Sequence, residues 1–226
     1  MTSSVRRLAL MSAVLLAATA AMAPGASAQN DAAVKAKMLN EMEVPAAFGT
    51  AKDYDFTSKR LGKSIGICGT PDGDTLVSVP APTRQYLVDI ETTNKKRYTE
   101  VMERVYQFPT PALAASAFQT LSAGLATCDG VRTVANGPTG SITDTTVTGS
   151  PAGGEYDVFY VQVAGRFNDS DPNYRSRTTI LAVYTQAGDA VIETFAYINP
   201  AASMTPKQRN SLLQLAQDLS AKWVNS

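Results

Sequence analysis

Two periods run through the hydrophobic and polar positions of this chain, and each predicts its own kind of element. In residues 30–43 the apolar residues Val34, Met38, Leu39 and Met42 fall at helical spacing behind Asn30 and Asp31 as N-cap candidates, which predicts a short amphipathic helix ending before Pro45. From there to about Gly62 the composition predicts a loop, which includes the acidic and aromatic run Asp53, Tyr54, Asp55, Phe56. Strands are expected at 64–68, 76–79 and 86–92, with Pro80 and Pro82 as a break between the last two. Pro71, Asp72, Gly73 and Asp74 read as a turn; the further ligands of a calcium loop are missing around Asp72 and Asp74.

The next strand is long, 98–108, and its two sides differ from a half-buried strand. One side carries Tyr98, Glu100, Met102, Arg104, Tyr106 and Phe108, the other Thr99, Val101, Glu103, Val105 and Gln107. A strand with one face in water shows a clean solvent side, and neither side is purely polar here, so both are expected to meet more than bulk water. Thr110 and Pro111 then open a helix in the favoured order of cap and first-turn proline. Its apolar stripe is Ala114, Ala115, Phe118, Leu121 and Leu125, and it stops near Cys128 before Asp129 and Gly130. Residues 131–154, rich in Thr, Gly and Ser, suit turns joining short polar strands.

Strand patterns follow at 155–167, 177–185 and 189–198, with a loop at 168–173 and a hairpin connection at Gln186, Ala187 and Gly188. Thr205, Pro206 and Gln208 predict a capped helix start, and Leu212, Leu215, Ala216, Leu219 and Trp223 share one face of that helix. The fold class is α+β: a mainly antiparallel twisted β-sheet flanked by helices, with an N-terminal and a C-terminal helix.

Residues 1–28 have a different character. Arg6 and Arg7 precede an apolar run from Leu8 to about Ala23, and Ala26, Ser27 and Ala28 follow it. A basic start, an apolar core shorter than the ~20 residues of a membrane span and a small-residue ending predict a cleavable signal peptide, cut after Ala28. Pro24 and Gly25 break the run before any stop-transfer charge, which argues against an uncleaved anchor. The arginine pair is ordinary for the general secretory route and loosely similar to a twin-arginine signal. Residues 29–226 are then a single secreted domain without stable membrane insertion, lying outside the cytoplasmic membrane in the cell envelope or beyond.

Composition narrows the chemistry. The chain has 226 residues, no histidine and 20 basic against 20 acidic side chains. Ser-His-Asp and Cys-His catalysis and histidine-ligated metals are excluded, and no cofactor is implied. The neutral balance gives no electrostatic footprint for nucleic acid. Both cysteines, Cys68 and Cys128, lie in an oxidising compartment once exported, and an even count favours a disulfide between them. Closing a loop of about 60 residues would contribute roughly 4 kcal/mol. A redox-active pair would need a tighter spacing and a flanking base.

The segment from Arg104 through Val105, Tyr106, Gln107, Phe108, Pro109, Thr110 and Pro111 to Phe118, a strand feeding an alanine-rich helix that ends at Thr127 and Cys128, resembles the extracellular sensor domain of PknH-type mycobacterial kinases and its secreted or lipoprotein relatives. The order around it is similar too: an N-terminal helix, an earlier cysteine, a C-terminal hairpin and a closing helix at 208–223. The resemblance implies a helix-flanked antiparallel sheet curved around a cleft for an extracytoplasmic ligand, in an actinobacterial envelope. Two departures stand out. The sequence carries no kinase domain, and nothing after Cys128 is cysteine, so only the first of the family's usual two disulfides has its counterpart, in Cys68 and Cys128.

Acid/base chemistry would rest on carboxylate pairs such as Asp53 with Asp55, Glu100 with Glu103, and Asp169 with Asp171. Glu100 and Glu103 project to opposite strand faces, and the other pairs read as solvated turns, so a non-catalytic protein is expected. The tentative ligand-binding set is Arg104, Tyr106, Tyr156, Tyr160, Tyr184, Glu193 and Tyr197: tyrosine offers apolar area with a hydroxyl, and arginine a fork for carboxylate or phosphate. The expected function is a secreted sensor-type domain for a small or lipidic ligand. The alternatives are a structural or protein-interaction factor with an envelope protein partner, and a histidine-independent acid/base hydrolase.

Overall fold

The structure, a computed structural model, describes residues 25–59, 64–67, 75–79, 82, 84–94, 97–128, 130–135, 140–151, 154–169, 177–201 and 203–225. In chain order these form α1 (Gly25–Lys37), a 3-10 turn (Glu41–Glu43), β1 (Thr50–Lys59), β2 (Ser64–Ile67), β3 (Thr75–Ser78), β4 (Arg84–Asn94) and β5 (Arg97–Gln107). There follow α2 (Pro111–Gly124), a second 3-10 turn (Leu125–Thr127), β6 (Gly130–Ala135), β7 (Gly140–Gly149), β8 (Val158–Asp169), β9 (Arg177–Ala187), β10 (Ala190–Asn199) and α3 (Pro206–Asn225). Eight strands hydrogen-bond in the order β1-β4-β5-β10-β9-β8-β7-β6, all antiparallel, while β2 and β3 pair as a separate hairpin. This is the α+β architecture expected from the sequence.

The sheet has a core on each side, which accounts for the mixed faces of β5. Val88, Ile90, Val101, Val105, Leu181, Val183, Ile192 and Ala196 pack with Leu212, Leu215, Ala216, Leu219 and Trp223 of α3 and with Val34, Met38 and Leu39. On the other side Tyr106, Phe159, Val161, Val163, Tyr184 and Val191 pack with Ala114, Ala117, Phe118 and Leu121 of α2, joined by Ile65 and Val79 beside the small hairpin. Both major helices start as their sequences predict. Thr110 Oγ1 accepts the Leu113 N–H at 3.3 Å, and at α3 Gln208 N donates to Thr205 Oγ1 at 3.2 Å while Gln208 Oε1 accepts the Thr205 N–H at 3.0 Å. Gly188 turns the β9–β10 hairpin at φ 55°, a backbone region costly for other residues.

The structure revises several of these expectations. The N-terminal helix stops at Lys37 rather than Glu43, because Asn40 caps a separate turn: its side chain accepts the Met42 N–H at 3.0 Å and Glu43 accepts the Asn40 N–H at 2.9 Å. Met42 is consequently 93% exposed. The expected loop around Asp53 is an edge strand, β1, in which Tyr54 and Phe56 turn toward the α3-side core while Asp53 and Asp55 face solvent. The polar strands expected within residues 131–154 are present as β6 and β7, both in the main sheet. The strand expected from Glu155 begins only at Val158, since the Gln217 side chain takes both backbone groups of Tyr156 at 3.0 Å.

Residues 1–24, with the basic and apolar parts of the expected leader, lie outside the described residues, and α1 begins at Gly25, before the expected cleavage position after Ala28. The turn at 71–74 and residues 170–173 of the expected loop also lie outside them, whereas Asn168 and Asp169 belong to β8. Among the described residues no helix is long and apolar enough to cross a membrane.

Candidate functional site

Register places the site. Side chains opposite one another in adjacent strands share a face, so the rows Phe159–Tyr184–Glu193–Arg104 and Val161–Ala182–Phe195–Met102–Asp89–Asp55 lie side by side on the α2 side of the sheet. The next row is Val163–Ile180–Tyr197–Glu100–Glu91–Asp53. Five of the seven predicted residues, Arg104, Tyr106, Tyr184, Glu193 and Tyr197, therefore project from this one face.

At its centre is a buried carboxylate with its partners complete. Glu193 Oε2 accepts from Arg104 Nη1 at 2.8 Å and from the Tyr106 hydroxyl at 3.3 Å, and Oε1 accepts from the Tyr184 hydroxyl at 3.0 Å. Tyr184 is held by stacking on Phe159, with centroids 4.8 Å apart, and Phe159 meets Phe118 of α2 at 5.0 Å. The charge of Glu193 holds the Arg104 guanidinium protonated beyond its ordinary range, and burial raises both phenols, Tyr106 and Tyr184. Arg104 is thus tied through Nη1 to an internal carboxylate and to the Tyr106 hydroxyl, while its Nε is buried without a partner among the described residues.

Away from α2 the same face is only half covered. Met102, Phe195 and Tyr197 are partly buried, and the rings of Tyr98 and Tyr197 meet edge to face at 6.0 Å. Around them Asp53, Asp55, Asp89, Glu91 and Glu100 make an acidic margin. Tyr98 donates to Glu100 and Glu91, and Lys52 pairs with Asp53 at 3.0 Å. Asp89 is the residue whose importance the sequence concealed. Its Oδ1 is buried without a partner among the described residues, and burial, followed by repulsion from Glu100, Glu91 and Asp55, pushes its carboxyl up to about 6. An acidic residue inside the otherwise apolar and aromatic run Tyr86, Leu87, Val88, Asp89, Ile90 is the signal the sequence offers.

The remaining two predicted residues are elsewhere. Tyr160 projects to the opposite face with Val183, and Tyr156 lies in the segment before β8; both pack against the α3-side core. Two grooves are lined by other residues. One of about 300 Å³ lies between Pro151, Val158 and α3 residues Leu213 and Gln217, and one of about 370 Å³ beside α2 at Phe118, Gln119, Asp157 and Gln186. Among the described residues no group of three or more Cys, Asp or Glu side chains is arranged to hold a metal ion. Glu100 and Glu103 do project to opposite faces, as expected. Cys128 is buried and no free thiol occurs among the described residues; its expected partner Cys68 lies outside them.

No curated protein matches this chain. Among solved structures it is similar to the extracellular domain of PknH from Mycobacterium tuberculosis, with a TM-score of 0.51 and 14% identity over 83% of this chain and 94% of that one. At that identity the likeness establishes the shared helix-flanked antiparallel sheet. The sequence model of the PknH-like extracellular domain matches residues 30–178, which include the α2-side strands β4, β5 and β8 and the helix α2 between them. The chain belongs to the PknH-like extracellular domain family.

Proposed function

We propose that this protein is a secreted, non-catalytic sensor-type module that binds a small or lipidic envelope ligand on the open part of the α2-side face. The observation that carries this reading is the convergence of Arg104, Tyr106, Tyr184, Glu193 and Tyr197 on one face, next to the half-covered side chains Met102 and Phe195. The Glu193 carboxylate, with three donors on its two oxygens, anchors the floor, and Met102, Phe195 and Tyr197 offer apolar area. The acidic margin favours a ligand whose polar end donates hydrogen bonds or carries positive charge, over an anionic one. Export through the 1–28 leader and a Cys68–Cys128 disulfide belong to the same reading, since both suit an extracytoplasmic domain.

Native mass spectrometry of protein purified from its own culture medium, followed by solvent extraction, tests the reading. A bound species lost in Met102→Arg is the expected result; protein that is empty from every growth condition counts against it. Intact mass with and without reductant, with peptide mapping, tests the disulfide, for which two hydrogens fewer in the oxidised chain are expected. The second reading, an envelope protein docking on the same partly exposed face, predicts instead a cross-linked protein partner at Tyr98 or Tyr197.

A further inference from the structure

On the α3 side of the sheet a second buried carboxyl has a different setting. Glu103 is fully buried, its Oε2 accepts the Leu39 N–H at 2.6 Å, and its Oε1 has no partner among the described residues. Its register partner on β10, Thr194, is likewise fully buried with an unpartnered hydroxyl. Leu39 belongs to the short segment between α1 and β1, which a second contact holds from above. Lys222 of α3 donates to Met38 O at 2.6 Å and pairs with Glu43 at 2.8 Å. Residues 38–43 are therefore gripped between an acid in the sheet and a base on the closing helix.

We propose that residues 38–43 form a pH-operated latch, docked on the sheet while the Glu103 carboxyl is neutral and loosened when it ionises. A neutral carboxyl accepts from Leu39 with one oxygen and leaves no buried charge on the other. An ionised one keeps a single hydrogen bond in an apolar core, a costly arrangement. The surrounding groups offer little relief. The 3-10 turn contributes Glu43, which repels it, and Glu41; β1 contributes the Tyr54 phenol; β4 contributes apolar Val88 and Ile90 and, further along the same face, the Tyr86 phenol and the Thr92 hydroxyl, none of them a cation. From α1, Lys35 lies over the Tyr54 and Phe56 rings and Lys37 over Trp223. Lys222 is the nearby cation, and it is shared between Met38 O and Glu43. Ionisation is relieved either by Lys222 leaving those two groups for Glu103 or by the segment lifting to admit water, and both loosen the same residues. Burial pushes the Glu103 carboxyl up to about 8, against which Leu39 and Lys222 pull, so the transition falls within an accessible range.

Hydrogen exchange of the purified protein reads the latch directly. Protection factors of the amides at 39–43 should fall about tenfold or more between about pH 6 and pH 9, with α2 amides unchanged as the internal reference and with less than about twofold change in Glu103→Gln. No fall in the wild type, or an equal fall in E103Q, overturns the proposal. If E103Q does not fold, carboxyl carbon NMR of the wild type decides: the Glu103 titration must share its midpoint with the loss of protection, and a midpoint in the ordinary range near 4.5 overturns it.

Discussion

Glu103 and Glu193 sit back to back in neighbouring strands, Glu193 opposite Arg104 and Glu103 opposite Thr194, and their surroundings could hardly differ more. On the α2 side Glu193 receives a guanidinium and two phenols, so that both of its oxygens have donors. On the α3 side Glu103 receives one backbone N–H and keeps one orphaned oxygen. The same type of residue thus serves a rigid floor on one face and a titratable weak point on the other. The difference teaches that burial alone does not define a site; what matters is whether the buried group's partners are complete and what lies beyond them. Beyond Glu193 the face opens onto Met102, Phe195 and Tyr197, whereas beyond Glu103 lies the α3-side core.

The comparison can be broken most severely on the closed face. Trp223 is 6% exposed, its indole N–H donates to Asp189 at 3.1 Å and its ring carries Lys37, so Trp223→Ala should cost about 3–5 kcal/mol in urea unfolding. Next, Glu193→Leu strands Arg104 and two phenolic hydroxyls, and a loss of about 3 kcal/mol is expected by the same measurement. If that loss were below about 1 kcal/mol, the Glu193 network would not be an energetic centre.

Glu103 sharpens the contrast through pH. Its carboxyl lies at about 8 in the fold against an ordinary 4.5, so the folded state holds a proton that the unfolded chain releases. Its contribution is fully present below about 4.5 and is lost as pH rises to about 8, with a slope of at most about 1.4 kcal/mol per pH unit. Glu103→Gln should remove that slope and leave the variant about 1–3 kcal/mol more stable than the wild type at about pH 9, measured by denaturation across pH. The smallest stability effect belongs to the open face: Tyr197→Ala should cost only about 1 kcal/mol or less while weakening retention of the ligand proposed for that face, read by native mass spectrometry.

Much of this contrast could be read in the sequence. The separation of β5 into two mixed sides was visible from alternation, and so was the need for a cover on each; α2 and α3, with their caps at Thr110 and Thr205, supply those covers. Five of the predicted side chains share a face because period-two spacing carries that information within each strand. Tyr156 and Tyr160 fall elsewhere because alternation fixes sides only relative to neighbours in the same strand, and the register that joins strands is set by packing and turns. Long-range hydrogen bonding also stayed hidden. Gln217 diverting Tyr156 from the sheet, Glu103 reaching Leu39 across 64 residues, and Glu193 meeting Arg104 across 89 have no local signature. β1 was missed for a simpler reason, since an edge strand with acids on its open side has the composition of a loop.

The methionines report, without further engineering, on the ligand recognition proposed for the α2-side face. Met102 lies half-buried on that face, Met38 and Met204 are buried in the α3-side core, and Met42 is exposed. Methionine methyl-carbon NMR of the wild type, titrated with a solvent extract of the producing cells' envelope, should shift the Met102 methyl while Met38 and Met204 stay in place. Shifts at Met38 or Met204 with an unmoved Met102, or no shift with any fraction of the extract, would contradict it.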